Sequence, residues 1–286
     1  MLRELVYNDL MARGRTEAVA KEWGAVAEDF EEVCGYKCAE IDPEEYEKKY
    51  ARADLTLYLA HLRKRELAQS TIYKNLKTIR LLSQIQGWDF PKLSLRRISP
   101  DDIMRTILPK DQVASVILMG KSLFKEHELC YLALSTVYGL RRSEMTKVAP
   151  EDFTQGTPYF PHGTITIHTT HGGRVTTHLV PPEIAPYLQH FRHYEPDSLT
   201  HMFHRLAQKV GLTTTKGFGW HSIRRSLTTE LILLDASALN VLRFMRWSDA
   251  SARGEFGMLS IYAKRDQTRI DEAIFKVHPF LPYWRG

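Results

Sequence analysis

The chain has no run of apolar residues approaching the ~18–20 that a membrane-spanning helix needs. Its longest candidate, Leu129 to Leu140, ends directly in Arg141-Arg142. A secretory leader pattern is missing as well, because Glu4, Asn8 and Asp9 interrupt the N-terminal stretch. The expectation is an intracellular, cytoplasmic protein with no membrane partner. Cysteine is scarce: Cys34 and Cys38 are neighbours, but no second pair completes a zinc site, and Cys130 sits in an apolar stretch. Neither a disulfide framework nor a metal centre is expected. Low-complexity tracts and internal repeats are also lacking.

What remains is a globular composition, 43% hydrophobic and 26% charged over 286 residues, enough for two ordinary domains. The net charge is only +5, compatible with nucleic acid without requiring it. Its distribution says more. Arg63, Lys64 and Arg65 form one cluster, Lys74, Lys77 and Arg80 follow, and acidic residues concentrate earlier, from Glu28 to Glu47. A basic edge on a helical segment is a candidate surface for tracking phosphates; an ordinary solvated helix face accounts for the same charges.

The first hundred residues read as helices. Val19, Trp23, Val26, Phe30 and Val33 recur at steps of three and four and so predict one apolar stripe. Asp42, Pro43 and Glu45 mark a helix start. A further helix opens at Ser70, turns Ile72, Leu76, Ile79, Leu82 and Ile85 inward, and ends at Gly87. Pro100 and Pro109 bracket a connection. Beyond it come a helix from Lys110, a buried helix over Leu129 to Leu140, and one hairpin signal: Thr164 to His168 and Arg174 to Val180 flank His171-Gly172-Gly173. Helices resume after Pro182. Two domains follow, a helical one and a larger, mainly helical one with a small antiparallel sheet.

Four short segments of the second domain carry chemistry: Gly139-Leu140-Arg141-Arg142-Ser143-Glu144, His221-Ser222-Ile223-Arg224-Arg225, Leu242 to Ser248 containing Trp247, and Ser260-Ile261-Tyr262. Guanidinium forks suit phosphate oxygens. A His three residues before an Arg on a helix sits about one turn from it. A tyrosine hydroxyl, pKa ~10, is a poor nucleophile at neutral pH. Two guanidiniums beside it favour the phenolate and stabilise a pentacoordinate phosphorus. Two arginines, a histidine and a tyrosine therefore suffice for phosphoryl transfer to protein.

In this order the segments resemble the catalytic domain of the tyrosine recombinase (lambda-integrase-like) family. Leu57 to Gly87 resembles that family's helical core-binding domain, and Leu108 to Val113 the opening of its catalytic domain. The resemblance implies a helical DNA-binding domain at residues 1–100 and a catalytic domain with a C-terminal tail at 108–286. It also implies a site-specific recombinase or integrase that needs no cofactor. Tyr262 would attack a DNA phosphodiester, leaving a 3′-phosphotyrosine and a free 5′-hydroxyl. Arg141 and Arg224 would clamp the phosphate, Glu144 would support them, His221 would assist proton transfer, and Trp247 would pack around the phosphate. The partner would be a double-stranded DNA target site bound by a homotetramer, with a monomer or weak oligomer free of DNA.

The sequence departs from the family in two places. The hairpin lacks the family's general-acid lysine and offers His171 and Arg174 at its tip, of which histidine is the better proton donor. The stretch from Trp247 to Tyr262 is longer than usual, as if a polar loop were inserted at Asp249 to Met258. Tyr283 belongs to an aromatic tail with Phe280 and Trp284 that reads as a docking element, on its own subunit or in trans. The missing lysine keeps open a DNA-binding relative with little or no strand transfer; a type IB topoisomerase-like enzyme is the other alternative.

Overall fold

The computed structural model describes residues 2–37, 40–93, 107–169, 175–213, 218–247 and 266–285. The chain divides into two compact units, Met1–Met104 and Arg105–Gly286. Its described residues are mainly α-helical with one small antiparallel sheet.

Unit 1 is a helical bundle: α1 (Leu2–Ala12), α2 (Glu17–Cys34), α3 (Pro43–Lys49), α4 (Ala51–Lys64) and α5 (Gln69–Gln86). Asp42 caps α3 by accepting from the backbone N–H groups of Glu44 and Glu45, each at 3.1 Å. Gly87 ends α5 in the left-handed region at φ 82. The inward face of α5 is as its periodicity predicts, except that Ile85 is half-buried. On α2 Phe30 is buried as predicted, but the stripe before it slips by one position. The buried residues are Ala20, Gly24, Ala27 and Phe30, and Val19, Trp23, Val26 and Val33 lie half-buried beside them. Close approach of α1 is the reason, because a Cβ on Gly24 would stand 3.0 Å from the Arg3 carbonyl oxygen. Small residues won the centre of the stripe and bulky ones its flank.

Unit 2 begins with α6 (Lys110–Leu123) and α7 (Glu126–Tyr138), the latter buried from Glu128 to its end. A short helix, α8 (Arg142–Met145), follows. Strands β1 (Phe153–Thr154), β2 (Thr164–Ile167) and β3 (Thr176–Leu179) pair antiparallel in that order, with Ile165 opposite His178. The hairpin tip lies outside the described residues, as does most of the connection expected before Pro109. Then come α9 (Ala185–Leu188), α10 (Pro196–Lys209), α11 (Trp220–Leu233), α12 (Ala238–Phe244) and α13 (Gln267–Lys276).

Two polar ties secure the C-terminal part. His178 and Asp271 are both fully buried; the imidazole Nδ1 donates to Asp271 Oδ1 at 2.9 Å, and Asp271 Oδ2 accepts the Leu179 N–H at 2.7 Å. These bonds fasten α13 to β3. The aromatic tail docks on its own unit: Phe280, Leu281 and Trp284 are buried, and Trp284 Nε1 donates to Thr136 Oγ1 on α7 at 3.1 Å. His278 locks the turn before it. Its Nε2–H donates to the Val137 carbonyl, and Nδ1 accepts from the N–H groups of Phe280 and Leu281.

Both histidines are therefore held neutral. Burial pushes His278 down to about 4, and burial pushes His178 below the ordinary value even with the Asp271 carboxylate beside it. A histidine depressed in the folded state stabilises fully above its unfolded pKa of ~6.5 and loses that contribution as pH falls towards the folded value. For His278 the loss amounts to roughly 3 kcal/mol between about pH 6.5 and 4. Urea melts of wild type at pH 7 and pH 4.5 should show this loss, and His278→Asn, whose amide oxygen can accept the same two N–H groups, should flatten it. Trp284→Ala should lower stability by on the order of 3–5 kcal/mol in the same melts, because it opens a cavity and removes the bond that Thr136 Oγ1 accepts. A loss below 1 kcal/mol would mean the tail is not held there in solution.

Candidate functional site

The site forms where the ends of α7, α8, α11 and α12 meet. Helix α7 stops at Gly139, which adopts φ 58, and a Cβ there would lie 2.7 Å from Met245 Cε, so that side chain would have to shift. Leu140 is buried in the core and turns the chain so that Arg141 becomes the N-cap of α8. Glu144 is then the third residue of α8, and its carboxylate reaches back to the Arg141 N–H at 2.8 Å. A local capping rule thus sets the position of a fully buried carboxylate.

Three guanidiniums surround it. Arg141 Nη1 donates to Glu144 Oε1 at 2.5 Å. Arg246 Nη2 donates to Oε2 at 3.1 Å, and Arg224 Nη1 stands 3.5 Å from the same oxygen. Arg224 makes its closer bonds to backbone carbonyls, those of Gly139 at 2.5 Å and of Met245. Arg246 does the same with Phe244 and Tyr138, at 2.9 and 3.0 Å. Burial alone would raise the Glu144 pKa, but Arg246 and Arg224 outweigh it and hold the carboxyl below its ordinary value, hence ionised. Burial and then the charge of Arg246 push Arg224 well below the ordinary arginine range, against the pull of Glu144. Three positive charges and one negative leave an excess of two, and a partly desolvated excess of this sign favours an anion.

The sequence-predicted residues divide into three groups. Arg141, Glu144 and Arg224 are brought together. Arg141 keeps 24% of its side chain exposed and Arg224 only 3%, so Arg141 is the more open to solvent. His221 lies on the first turn of α11 but is exposed where Arg224 is buried, and it lines a shallow cavity with Arg142, Thr200, His204 and Phe218. One turn of helix separates the two residues along the axis, and depth separates them as well. Trp247 is half-buried directly after Arg246 and packs on the core. Tyr262, His171 and Arg174 lie outside the described residues.

In unit 1, Arg63 and Lys64 are exposed at the end of α4. The exposed basic residues of α5 are partly engaged within the unit. Lys74 pairs with Glu22, Lys77 lies 5.9 Å from the Trp23 ring centre, and the Arg80 guanidinium lies 4.9 Å from that of Phe90. Sequence reasoning overlooked Arg246 and the His178–Asp271 pair. Arg246 did carry a signal, since it is a lone charge in the otherwise apolar run Phe244-Met245-Arg246-Trp247. Nothing local marks His178 and Asp271 as partners.

No protein-family model and no curated protein matches the sequence. Solved structures do match the fold. An integrase of the transposon Tn1549 in complex with circular intermediate DNA superposes with a TM-score of 0.62 at 15% identity, covering 96% of this chain and 98% of that one. The XerH site-specific recombinase bound to a palindromic difH substrate gives 0.63 at 16% identity, covering 92% and 80%. A lambda integrase fragment bound to a COC′ core site gives 0.58 at 11% identity, covering 89% and 96%. At these identities the likeness concerns architecture alone: the chain has the fold of the tyrosine recombinases and integrases.

Proposed function

We propose that the protein is a site-specific DNA recombinase that cleaves and rejoins strands through a 3′-phosphotyrosine. The observation that carries this reading is the Arg141–Glu144–Arg224 cluster: an anion-favouring pair of arginines ordered by one buried carboxylate, in a fold shared with recombinases. Tyr262 Oη attacks phosphorus as the P–O5′ bond breaks. Its proton passes towards His221, and the leaving 5′-oxygen takes one from the hairpin tip, His171 in preference to Arg174. Arg141 and Arg224 stabilise the non-bridging oxygens, and Trp247 closes the phosphate pocket. A 5′-hydroxyl from a second strand reverses the linkage, so the bond energy is conserved and no external energy source is required. Arg63, Lys64, Lys74, Lys77 and Arg80 follow the DNA backbone from the helical domain, and four copies act together on a double-stranded site. Release of Lys74 from Glu22 accompanies that binding.

A pool of nicked duplexes of randomised sequence is the probe. Wild-type protein should form adducts that survive denaturing gels, and sequencing the trapped strands yields the site. Tyr262→Phe should abolish them, and an adduct that persists in this variant refutes the nucleophile assignment. Relaxation of supercoiled plasmid without site preference would select the topoisomerase-like reading instead.

On the recovered site, His171→Ala should slow cleavage by on the order of 100-fold or more. A 5′-bridging phosphorothiolate, whose sulfur leaves without protonation, should restore it. Rescue of Arg174→Ala in place of His171→Ala transfers the acid role to Arg174.

A further inference from the structure

Arg246 has no part in the reading above, yet it is fully buried and reaches the centre of the site. It is also one of three non-glycine residues at positive φ among the described residues, at φ 56. Glycine would occupy that conformation without strain, so the fold keeps a costly backbone to place this side chain.

The bonding pattern indicates what the side chain does there. Glu144 Oε1 is taken by Arg141. Oε2 accepts from the Arg141 N–H and from Arg246 Nη2, which leaves Arg224 Nη1 at 3.5 Å, the edge of hydrogen-bond range. Arg224 instead bonds the Gly139 and Met245 carbonyls, acceptors that hold a guanidinium in place without cancelling its charge. Without Arg246, Arg224 is left as a guanidinium within hydrogen-bond range of Oε2, which keeps only the Arg141 backbone bond beside it. It would then close on the carboxylate, and the cluster's excess charge would fall from two to one.

We infer that Arg246 is a positioning residue: it occupies the inner oxygen of Glu144 so that the charge of Arg224 serves the scissile phosphate. This rests on the recombinase reading. Arg246 touches neither DNA nor the reacting atoms and works through Glu144 and Arg224.

The test is single-turnover cleavage of the nicked duplex recovered from the pool, at saturating DNA, with adduct amplitude counting the active molecules. Arg246→Gly, which suits the backbone, should lower the rate on the order of 10- to 100-fold, with DNA affinity changed less than threefold. Arg246→Lys should recover most of the loss. An uncharged methylphosphonate at the scissile position should shrink the Arg246→Gly defect to within threefold, because no anion then calls on Arg224. Equal defects on both substrates, or a normal rate per active molecule, overturn the inference and leave Arg246 a structural residue. If Arg246→Gly does not fold, Arg246→Asn, neutral and tolerated at positive φ, decides by the same comparison: a defect on the phosphodiester that vanishes on the methylphosphonate supports the inference, and any other pattern overturns it. Absence of any wild-type adduct across the pool refutes the recombinase reading and this inference together; wild-type adduct with an unaffected Arg246→Gly refutes the inference alone.

Discussion

The buried carboxylate of Glu144 is the point on which unit 2 is organised. It caps α8 through the Arg141 N–H, holds the Arg141 guanidinium, and balances Arg224 from α11 and Arg246 from the end of α12. Four helix ends are thereby fixed relative to one another by a single side chain. A carboxylate without its cations would cost several kcal/mol in such a place, and so would any of the cations without it. Folding and site assembly become the same event: the packed state that satisfies Glu144 is also the state that aligns the guanidiniums.

A second constraint acts on the stretch expected to carry the nucleophile. Its described flanks are both tied to the core. On one side, Trp247 follows the anchored Arg246, and its N–H donates to the Leu242 carbonyl at 3.0 Å. On the other, Asp266 caps α13, whose Asp271 is bonded to His178 and Leu179 on β3. The same strand leads back to the hairpin tip. Helix α13 is thus hydrogen-bonded to the strand that follows the hairpin tip. The aromatic tail completes this arrangement in cis, with Trp284 on Thr136 and a ring contact to Tyr187 at 4.9 Å.

Much of this was legible in the sequence because the signals are local. Helix periodicity, the Asp42-Pro43 start, the glycine stops and the β-branched hairpin each depend on neighbours within a few residues, and each element is present. The capping bond between Arg141 and Glu144 is just as local, three positions apart, but only the folded chain reveals it. What stayed hidden depends on partners far along the chain. The α2 stripe shifted because α1 packs close, which a single helix's pattern does not encode. His178 and Asp271 are separated by 93 positions. The difference in depth between His221 and Arg224 arises from what covers α11, and spacing conveys only the shared turn.

A core made of Leu and Met in place of Glu144, Arg224 and Arg246 would satisfy the same helix ends with less desolvation, since replacing buried ion pairs by apolar groups is often neutral or stabilising. The protein instead gathers like charges, and accepts a left-handed backbone at Arg246 as well. Stability does not explain either choice. A cluster whose guanidiniums are held mostly by carbonyls and only partly neutralised by one carboxylate retains positive potential in a low-dielectric setting, where each charge acts more strongly than in water. On the proposed function, that potential is the one a phosphate would balance. Departures from local economy of this kind concentrate where function is exerted, and here two of them meet at one carboxylate.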